Sequence, residues 1–327
     1  MKGLFYITRR KKLSAPAVIA ALILILASWF FSSEQNMQIW NTGIPSGDFI
    51  SDSRQVSVYY LDVGQGDSEL IRLPNGENIL IDAGLSGGAQ KLTSYLHQLG
   101  VSRIDYLIAT HPHADHIGGM AQVIQDLEIG KVYLPRVADD QVPTTRTYEK
   151  MLDAASEKEL RLTQGKAGMT IVDEEDVRLE FLAPQKEEYD NLNNYSIVVK
   201  LTFGEKSFLF TGDAEKEIER EMIEKYPDLH CDVLKVGHHG SNSSSTAVFL
   251  KEVAPEYGII SCGVDNDYGH PHSEVMNRLE KAGVKVYRTD LQGTIVFRTD
   301  GKRLSAQMNL PSLASDSSPK GNSAKAS

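Results

Sequence analysis

The stretch Thr110–Gly119, "THPHADHIGG", places three of the chain's nine histidines and one aspartate within six residues. Imidazoles this close repel one another if they protonate together, whereas a divalent ion holds them neutral and near. The cluster is therefore read as a metal site rather than a polar surface loop. It follows the apolar run "DYLIAT" at 105–110, so a strand delivers the chain into His111, and a helix is predicted from about His116 to Leu127. The spacing divides the cluster. His111 and His113 can converge on one ion, Asp115 and His116 on a neighbour, and two metals are implied.

Around this feature the chain alternates strands and helices. "VSVYYLDV" (56–63), "SELIRL" (68–73) and "NILIDA" (78–83) are β-rich, and "PNGE" joins the second to the third as a hairpin. A helix over 89–100 stops at Gly100. A second series follows: "VRLEFLA" (177–183), "YSIVVKLTFG" (195–204) and "KSFLFTG" (206–212) read as antiparallel strands, and a helix from Glu215 to about Glu224 comes after "TGD". "CDVLKVG" (231–237) ends at His238-His239, and "EYGIISC" (256–262) ends before "DNDYGHPH". A helix over 273–282 and the strands "VKVYRT" (284–289) and "GTIVFRT" (293–299) complete the series. Four strand ends thus carry His or Asp into loops, where chemistry is usually built.

Charge narrows the partners. The formal net charge is −10, yet residues 1–33 hold Lys2, Arg9, Arg10, Lys11 and Lys12 and no acid, so the remainder carries −15. Such a body repels polyanions at long range, and a nucleic-acid substrate would need a local positive focus such as metal ions in a cleft. Cys231 and Cys262 are too few for a disulfide framework and lack zinc-knuckle spacing; both are expected to be buried strand residues.

The first 33 residues read as targeting. "RRKK" at 9–12 precedes "LSAPAVIAALILILASWFF" at 13–31, which contains no charge and has about the length needed to span a bilayer. The basic flank should remain cytoplasmic and place the rest outside. An uncleaved anchor is preferred over a cleavable signal peptide, because no small-x-small site is clear before Ser32. The absence of a cysteine after the apolar run excludes a lipoprotein. Residues 34–54 read as a linker, 55–310 as the globular domain, and 311–327 as a disordered tail rich in Ser, Ala and Lys. No repeat of 20–50 residues is evident.

H-x-H-x-D-H after a strand, Gly-Asp after a later strand and His after a third together resemble the metallo-β-lactamase fold of hydrolases. More narrowly, "LDVGQGDSELI", "ILIDAG", "ATHPHADHIGG", "NNYSIVVKL", "LFTGDAE", "LKVGHHGSNSS" and "YGHPH" are similar to the extracellular hydrolase domain of the ComEC/Rec2 competence proteins and its stand-alone relatives, across about 55–300. The resemblance implies an α/β, four-layer αββα sandwich behind the N-terminal anchor or signal helix. It implies that His111 and His113 bind a first metal, Asp115 and His116 a second, and that Asp213 bridges both; the alternative for Asp213 is a helix N-cap. His238 or His239 completes the second metal, with His238, nearer the strand end, preferred and His239 turned toward substrate.

The resemblance also exposes a departure. Members with a full set have another first-metal histidine about twenty residues before the bridging aspartate, but 117–212 contains none, and Asn194 stands there instead. Asn194 is read as a weak ligand, a substrate contact or a water holder, or else as the cap of the strand at Tyr195. Asp82 resembles the family aspartate that orients an imidazole from behind. Asp67 and Ser68 follow a Gly-x-Gly turn that either approaches the site or is a plain hairpin. His270 and His272, just before a helix, are placed near substrate, the first as a catalytic candidate beside Asp115 and Asp213.

A mechanism follows from charge. Two ions sharing Asp213 would hold a bridging hydroxide against an electrophile and neutralise a phosphodiester oxygen. Zinc suits the ligands best, with manganese second. The resemblance implies a nuclease acting on extracellular single-stranded DNA, with a single anchor expected in place of the multi-helix channel of full-length competence proteins. The expected protein is an extracytoplasmic, membrane-anchored phosphodiesterase acting on DNA. Its alternatives are an esterase removing phosphorylcholine from cell-wall polymers and a binding protein that keeps the fold without chemistry; β-lactam hydrolysis ranks lower.

Overall fold

In the strand Val56–Tyr60, Tyr59 and the following Leu61 join one apolar cluster, while Tyr60 stacks on Phe210 of another sheet at 5.9 Å. Alternation of this kind buries a strand on both faces and calls for a layer on either side. The computed structural model describes residues 54–174, 176–310 and 312–314, all within one compact unit, Asp48–Ser327. The expected anchor or signal segment 1–33, nearly all of the linker 34–54 and most of the tail 311–327 lie outside the described residues.

The strands are β1 (Val56–Tyr60), β2 (Glu69–Arg72), β3 (Asn78–Ile81), β4 (Arg103–Ile108), β5 (Glu128–Leu134), β6 (Leu162–Gln164), β7 (Thr170–Glu174), β8 (Val177–Ala183), β9 (Val198–Phe203), β10 (Lys206–Phe210), β11 (Val233–Lys235), β12 (Tyr257–Ile260), β13 (Lys285–Arg288), β14 (Thr294–Thr299) and β15 (Leu304–Leu310). One sheet has the order β15-β14-β1-β2-β3-β4-β5-β6 and the other β13-β12-β11-β10-β9-β8-β7. β3 through β6 pair in parallel, as do β10 through β13, while the remaining neighbours are antiparallel.

The helices are α1 (Ala89–Gln98), α2 (Ala114–Ile117), α3 (Met120–Asp126), α4 (Arg146–Glu157), α5 (Lys216–Lys225), α6 (Ala247–Val253), α7 (Ser273–Lys281) and α8 (Thr289–Gln292). Leu92, Leu96, Val123, Ile124 and Met151 of α1, α3 and α4 pack on the first sheet; Ile218, Met222, Phe249 and Leu279 of α5, α6 and α7 pack on the second. Between the sheets run aromatic pairs, Tyr60 with Phe210, Tyr133 with Phe181 and Tyr257 with Phe297. Helix, sheet, sheet and helix form four layers.

Two features differ from the sequence reading. The single helix expected over 116–127 is divided at Gly118-Gly119, where the chain passes so close to its neighbours that only glycine fits: a Cβ on Gly118 would lie 2.4 Å from Ala114 O and one on Gly119 2.3 Å from Ala83 O. The segment 128–174 carries β5, β6, β7 and α4, elements beyond those the sequence reading predicts; in β5, Glu128, Gly130 and Lys131 interrupt the apolar alternation that marks a strand. At the chain's far end, Leu313 is buried against the first sheet's cluster and donates its N–H to Asp62 O at 2.7 Å. Both cysteines are buried free thiols, Cys231 just before β11 and Cys262 just after β12. Among the described residues, no helix is long and apolar enough to cross a membrane.

Candidate metal centre

The cluster predicted from sequence gathers where the strand ends of both sheets meet. β4 leads through Thr110 into His111, and α2 carries Asp115 and His116 on its single turn. From the other sheet, β10 leads to Asp213 and β11 to His238-His239.

Asp213 lies at the middle and is almost wholly buried. Its Oδ1 is 3.3 Å from His116 Nε2 and 3.5 Å from His239 Nε2; its Oδ2 is 3.7 Å from His111 Nε2 and 3.6 Å from His238 Nε2. One carboxylate therefore faces two groups of donors, a different oxygen to each. On the Oδ2 side, His111 Nε2 and His113 Nδ1 face each other at 3.1 Å, while His111 Nδ1 contacts Thr110 Oγ1 at 3.1 Å. On the Oδ1 side, Asp115 Oδ2 is 3.2 Å from His239 Nε2.

The atoms behind the imidazoles decide which nitrogens remain available. Asp82 Oδ2 takes His116 Nδ1 at 2.7 Å, and the same carboxylate accepts from Thr110 N–H at 2.8 Å and Thr110 Oγ1 at 2.6 Å. His239 Nδ1 donates to Ser261 O at 3.0 Å and lies 3.1 Å from Asp67 Oδ1. Carbonyl and carboxylate partners fix the proton on Nδ1, so Nε2 of each ring carries a lone pair. His116 Nε2, His239 Nε2 and Asp213 Oδ1 are all buried and have no hydrogen-bond partner. Orphaned buried polar atoms are costly, and three converging on one space fit a cation.

Two groups could thus hold metal ions. His111, His113 and Asp213 form one; His116, His239 and Asp213 form the other, with Asp115 alongside. Asp67 also lies within reach of the second group, but its Oδ2 is ion-paired with Lys235 Nζ at 2.8 Å and its Oδ1 faces the protonated side of His239. It stands behind the ring, not in front of it.

Charge points the same way. Burial, then the neighbouring His116, pushes His111 well below the ordinary imidazole range, so it is a neutral donor. Burial disfavours charge on His116 and His239 too, but Asp213 and the flanking carboxylates outweigh it, raising His116 well above its ordinary value and His239 to about 10. Without an ion, Lys235 answers Asp67, and these two rings are the nearest cations to Asp82, Asp115 and Asp213. A divalent cation answers these carboxylates directly.

The other sequence candidates fall in distinct places. His239 rather than His238 is the ring set against Asp115 and His116. Both residues have left-handed backbones, φ 50° and 53°, a conformation that costs about 1–3 kcal/mol at a non-glycine residue and clusters at functional sites. His238 turns its Nδ1 to Ser243 Oγ at 3.0 Å and to Glu215 Oε1 at 3.5 Å, leaving Nε2 toward Asp213 Oδ2. Asn194 has both amide ends occupied: Oδ1 accepts from Glu215 N–H and Nδ2 donates to Glu217 Oε2, each at 3.2 Å, at the start of α5. His270 packs its ring 5.7 Å from that of His238 and 6.0 Å from that of His239, with Nδ1 buried and unpartnered. His272 accepts from Asn242 N–H through Nδ1 and donates from Nε2 to Tyr268 O, so both its nitrogens serve the local backbone. The Gly-x-Gly turn does approach the site: Asp67 N–H donates to Asp115 O at 3.2 Å, and a Cβ on Gly66 would lie 2.2 Å from that oxygen. Ser68 Oγ donates to Asp82 O.

Sequence reasoning missed Lys235 and Ser196. Lys235 is fully buried, and its signal was a lone cation in the apolar run "CDVLKVG". Ser196 Oγ accepts from Asp213 N–H at 3.1 Å and lies 3.4 Å from His111 Nδ1, linking the Asp213 backbone to the back of the His111 ring.

The model of the Metallo-beta-lactamase superfamily matches residues 61–264. ComE operon protein 3 of Bacillus subtilis is 33% identical over 263 residues, covering 75% of this chain and 33% of its own, and Competence protein ComA of Neisseria gonorrhoeae is 32% identical over 289 residues, covering 86% of this chain and 38% of its own. The chain thus spans about a third of the length of these relatives. Among solved structures, a mutant of the CmlA beta-hydroxylase superposes with a TM-score of 0.51 at 14% identity, covering 75% of this chain and 54% of that one, a likeness of fold alone.

Proposed function

Since this chain belongs to the Metallo-beta-lactamase superfamily, we propose that it is a dinuclear, metal-dependent phosphodiesterase that cleaves DNA outside the cytoplasm. The observation that carries the reading is the division of Asp213, Oδ1 toward His116 and His239 and Oδ2 toward His111 and His238. A carboxylate common to both groups would be held by two adjacent ions. Zinc is the first choice for these imidazoles and carboxylates, with manganese second.

Two divalent ions supply Lewis acidity at a phosphodiester oxygen and a nucleophile at neutral pH. The chain's own residues do the rest. Asp82 and Ser261 O keep protons on the Nδ1 atoms of His116 and His239, so the opposite nitrogens stay open. His270, whose Nδ1 is buried and unpaired beside His238 and His239 and whose ring burial holds neutral by lowering it to about 4, is the group placed to offer a hydrogen bond to a phosphate oxygen. Asp115 reaches the same space from α2, closing the His239 side.

DNA as substrate is supported by the similarity to a protein named Competence protein ComA and by the resemblance of the motifs to the hydrolase domain of the ComEC/Rec2 proteins. The charge-free run 13–31 behind "RRKK" supports an anchor that leaves the catalytic domain outside. The test is a side-by-side assay of the metal-loaded full chain on single-stranded DNA, double-stranded DNA, RNA and p-nitrophenyl phosphorylcholine. Cleavage of single-stranded DNA is the expected result. Hydrolysis of the phosphorylcholine ester with every nucleic acid intact would replace this reading with that of a cell-wall esterase.

A further inference from the structure

Tyr268 is 64% exposed, in the loop between β12 and α7 at the rim of the metal centre. One face of its ring lies on His270, with centroids 5.5 Å apart and planes 17° from parallel; His270 in turn stacks on His239 at 6.0 Å and 30°. An aromatic series therefore runs from solvent to a candidate metal ligand. Val264, 65% exposed, belongs to the same loop.

This loop is held in place. His272 Nε2 donates to Tyr268 O at 3.1 Å, Asn266 Nδ2 donates to Gly263 O at 2.9 Å and His270 O at 2.7 Å, and Asn266 Oδ1 accepts from His270 N–H at 2.9 Å. Gly263 N–H donates to Gln65 Oε1, which fastens the loop to the Gly-x-Gly turn beside Asp115. A large ring displayed to water on a fixed loop gains nothing from the core. It offers a flat apolar face, already ordered, next to the reacting centre.

We propose that Tyr268 is a stacking platform for a nucleobase of the substrate strand, adjoining the phosphodiester held at the metal centre. The proposal rests on the phosphodiesterase reading and adds to it the residue that engages a base of the unpaired strand. Every base has a π face, so a single exposed aromatic ring binds single strands with little regard to sequence, whereas bases within a duplex are already stacked on one another. The other aromatic-binding chemistry near a phosphoester is a quaternary ammonium, which aromatic cages enclose. Tyr268 offers one open face backed by an imidazole, which suits a planar base better.

The test uses the full chain and two single-stranded oligonucleotides of equal length, one with bases and one abasic. Wild type should cleave the base-bearing strand with the lower KM. Tyr268→Ala should raise that KM about tenfold with kcat within about twofold, leave the abasic strand unaffected, and weaken binding of a phosphorothioate strand in fluorescence anisotropy by the same factor. Tyr268→Phe, which keeps the ring, should behave as wild type. If Tyr268→Ala cleaves and binds both strands as wild type does, the platform is wrong and the nuclease reading survives. If wild type cleaves neither strand but hydrolyses p-nitrophenyl phosphorylcholine, both are overturned.

Discussion

His116 and Asp82 meet at 2.7 Å through Nδ1 and Oδ2, wholly buried, while the opposite nitrogen of the ring points at Asp213. The pairing fixes the tautomer that a metal ligand requires. Asp82 Oδ1 is occupied by Thr110 N–H, so in Asp82→Asn the amide oxygen stays there and the new NH₂ faces His116. It would donate to Nδ1 and drive the ring proton to Nε2, against Asp213. Metal affinity by chelator competition should fall about 10–100-fold with the fold retained; an unchanged affinity would show that Asp82 does not set the tautomer.

Asn194 is engaged at both ends of its amide by the start of α5. Asn194→Ala should therefore cost about 1 kcal/mol, as the loss of a helix-terminus partner does, and lower Tm by roughly 2–4 °C. The number of ions bound by the purified protein should stay that of wild type. Loss of one ion at unchanged Tm would instead make Asn194 a ligand.

Lys235 and Asp67 form a buried pair at 2.8 Å beneath His239. Lys235→Met leaves Asp67 as an uncompensated buried charge, and urea unfolding should show a loss of about 3–5 kcal/mol. Lys235→Met with Asp67→Asn removes both charges and should recover part of that loss. A single variant as stable as wild type would mean that Asp67 is already neutral.

These residues also mark what the sequence could and could not convey. His111, His113, Asp115 and His116 were legible because six contiguous residues carried the density and the spacing. Their meeting with Asp213 depends on two sheets packed face to face, and only the resemblance supplied it. His238 and His239 are adjacent and chemically identical in sequence; consecutive left-handed backbones turn them to different sides of Asp213. Nothing local in "CDVLKVG" announces that Asp67, far away in the chain, waits beneath Lys235. Asn194 stood at the spacing of a missing histidine, yet its partners Glu215 and Glu217 lie on a helix whose position follows from tertiary packing.

The central claim, two ions sharing Asp213, is tested most directly by elemental analysis of the purified full chain beside Asp213→Ala. Wild type should carry close to two divalent ions per chain, and Asp213→Ala, lacking the carboxylate common to both groups, should lose them together with phosphodiester cleavage. Wild-type protein that holds no ion and gains no activity on adding zinc or manganese would contradict the account.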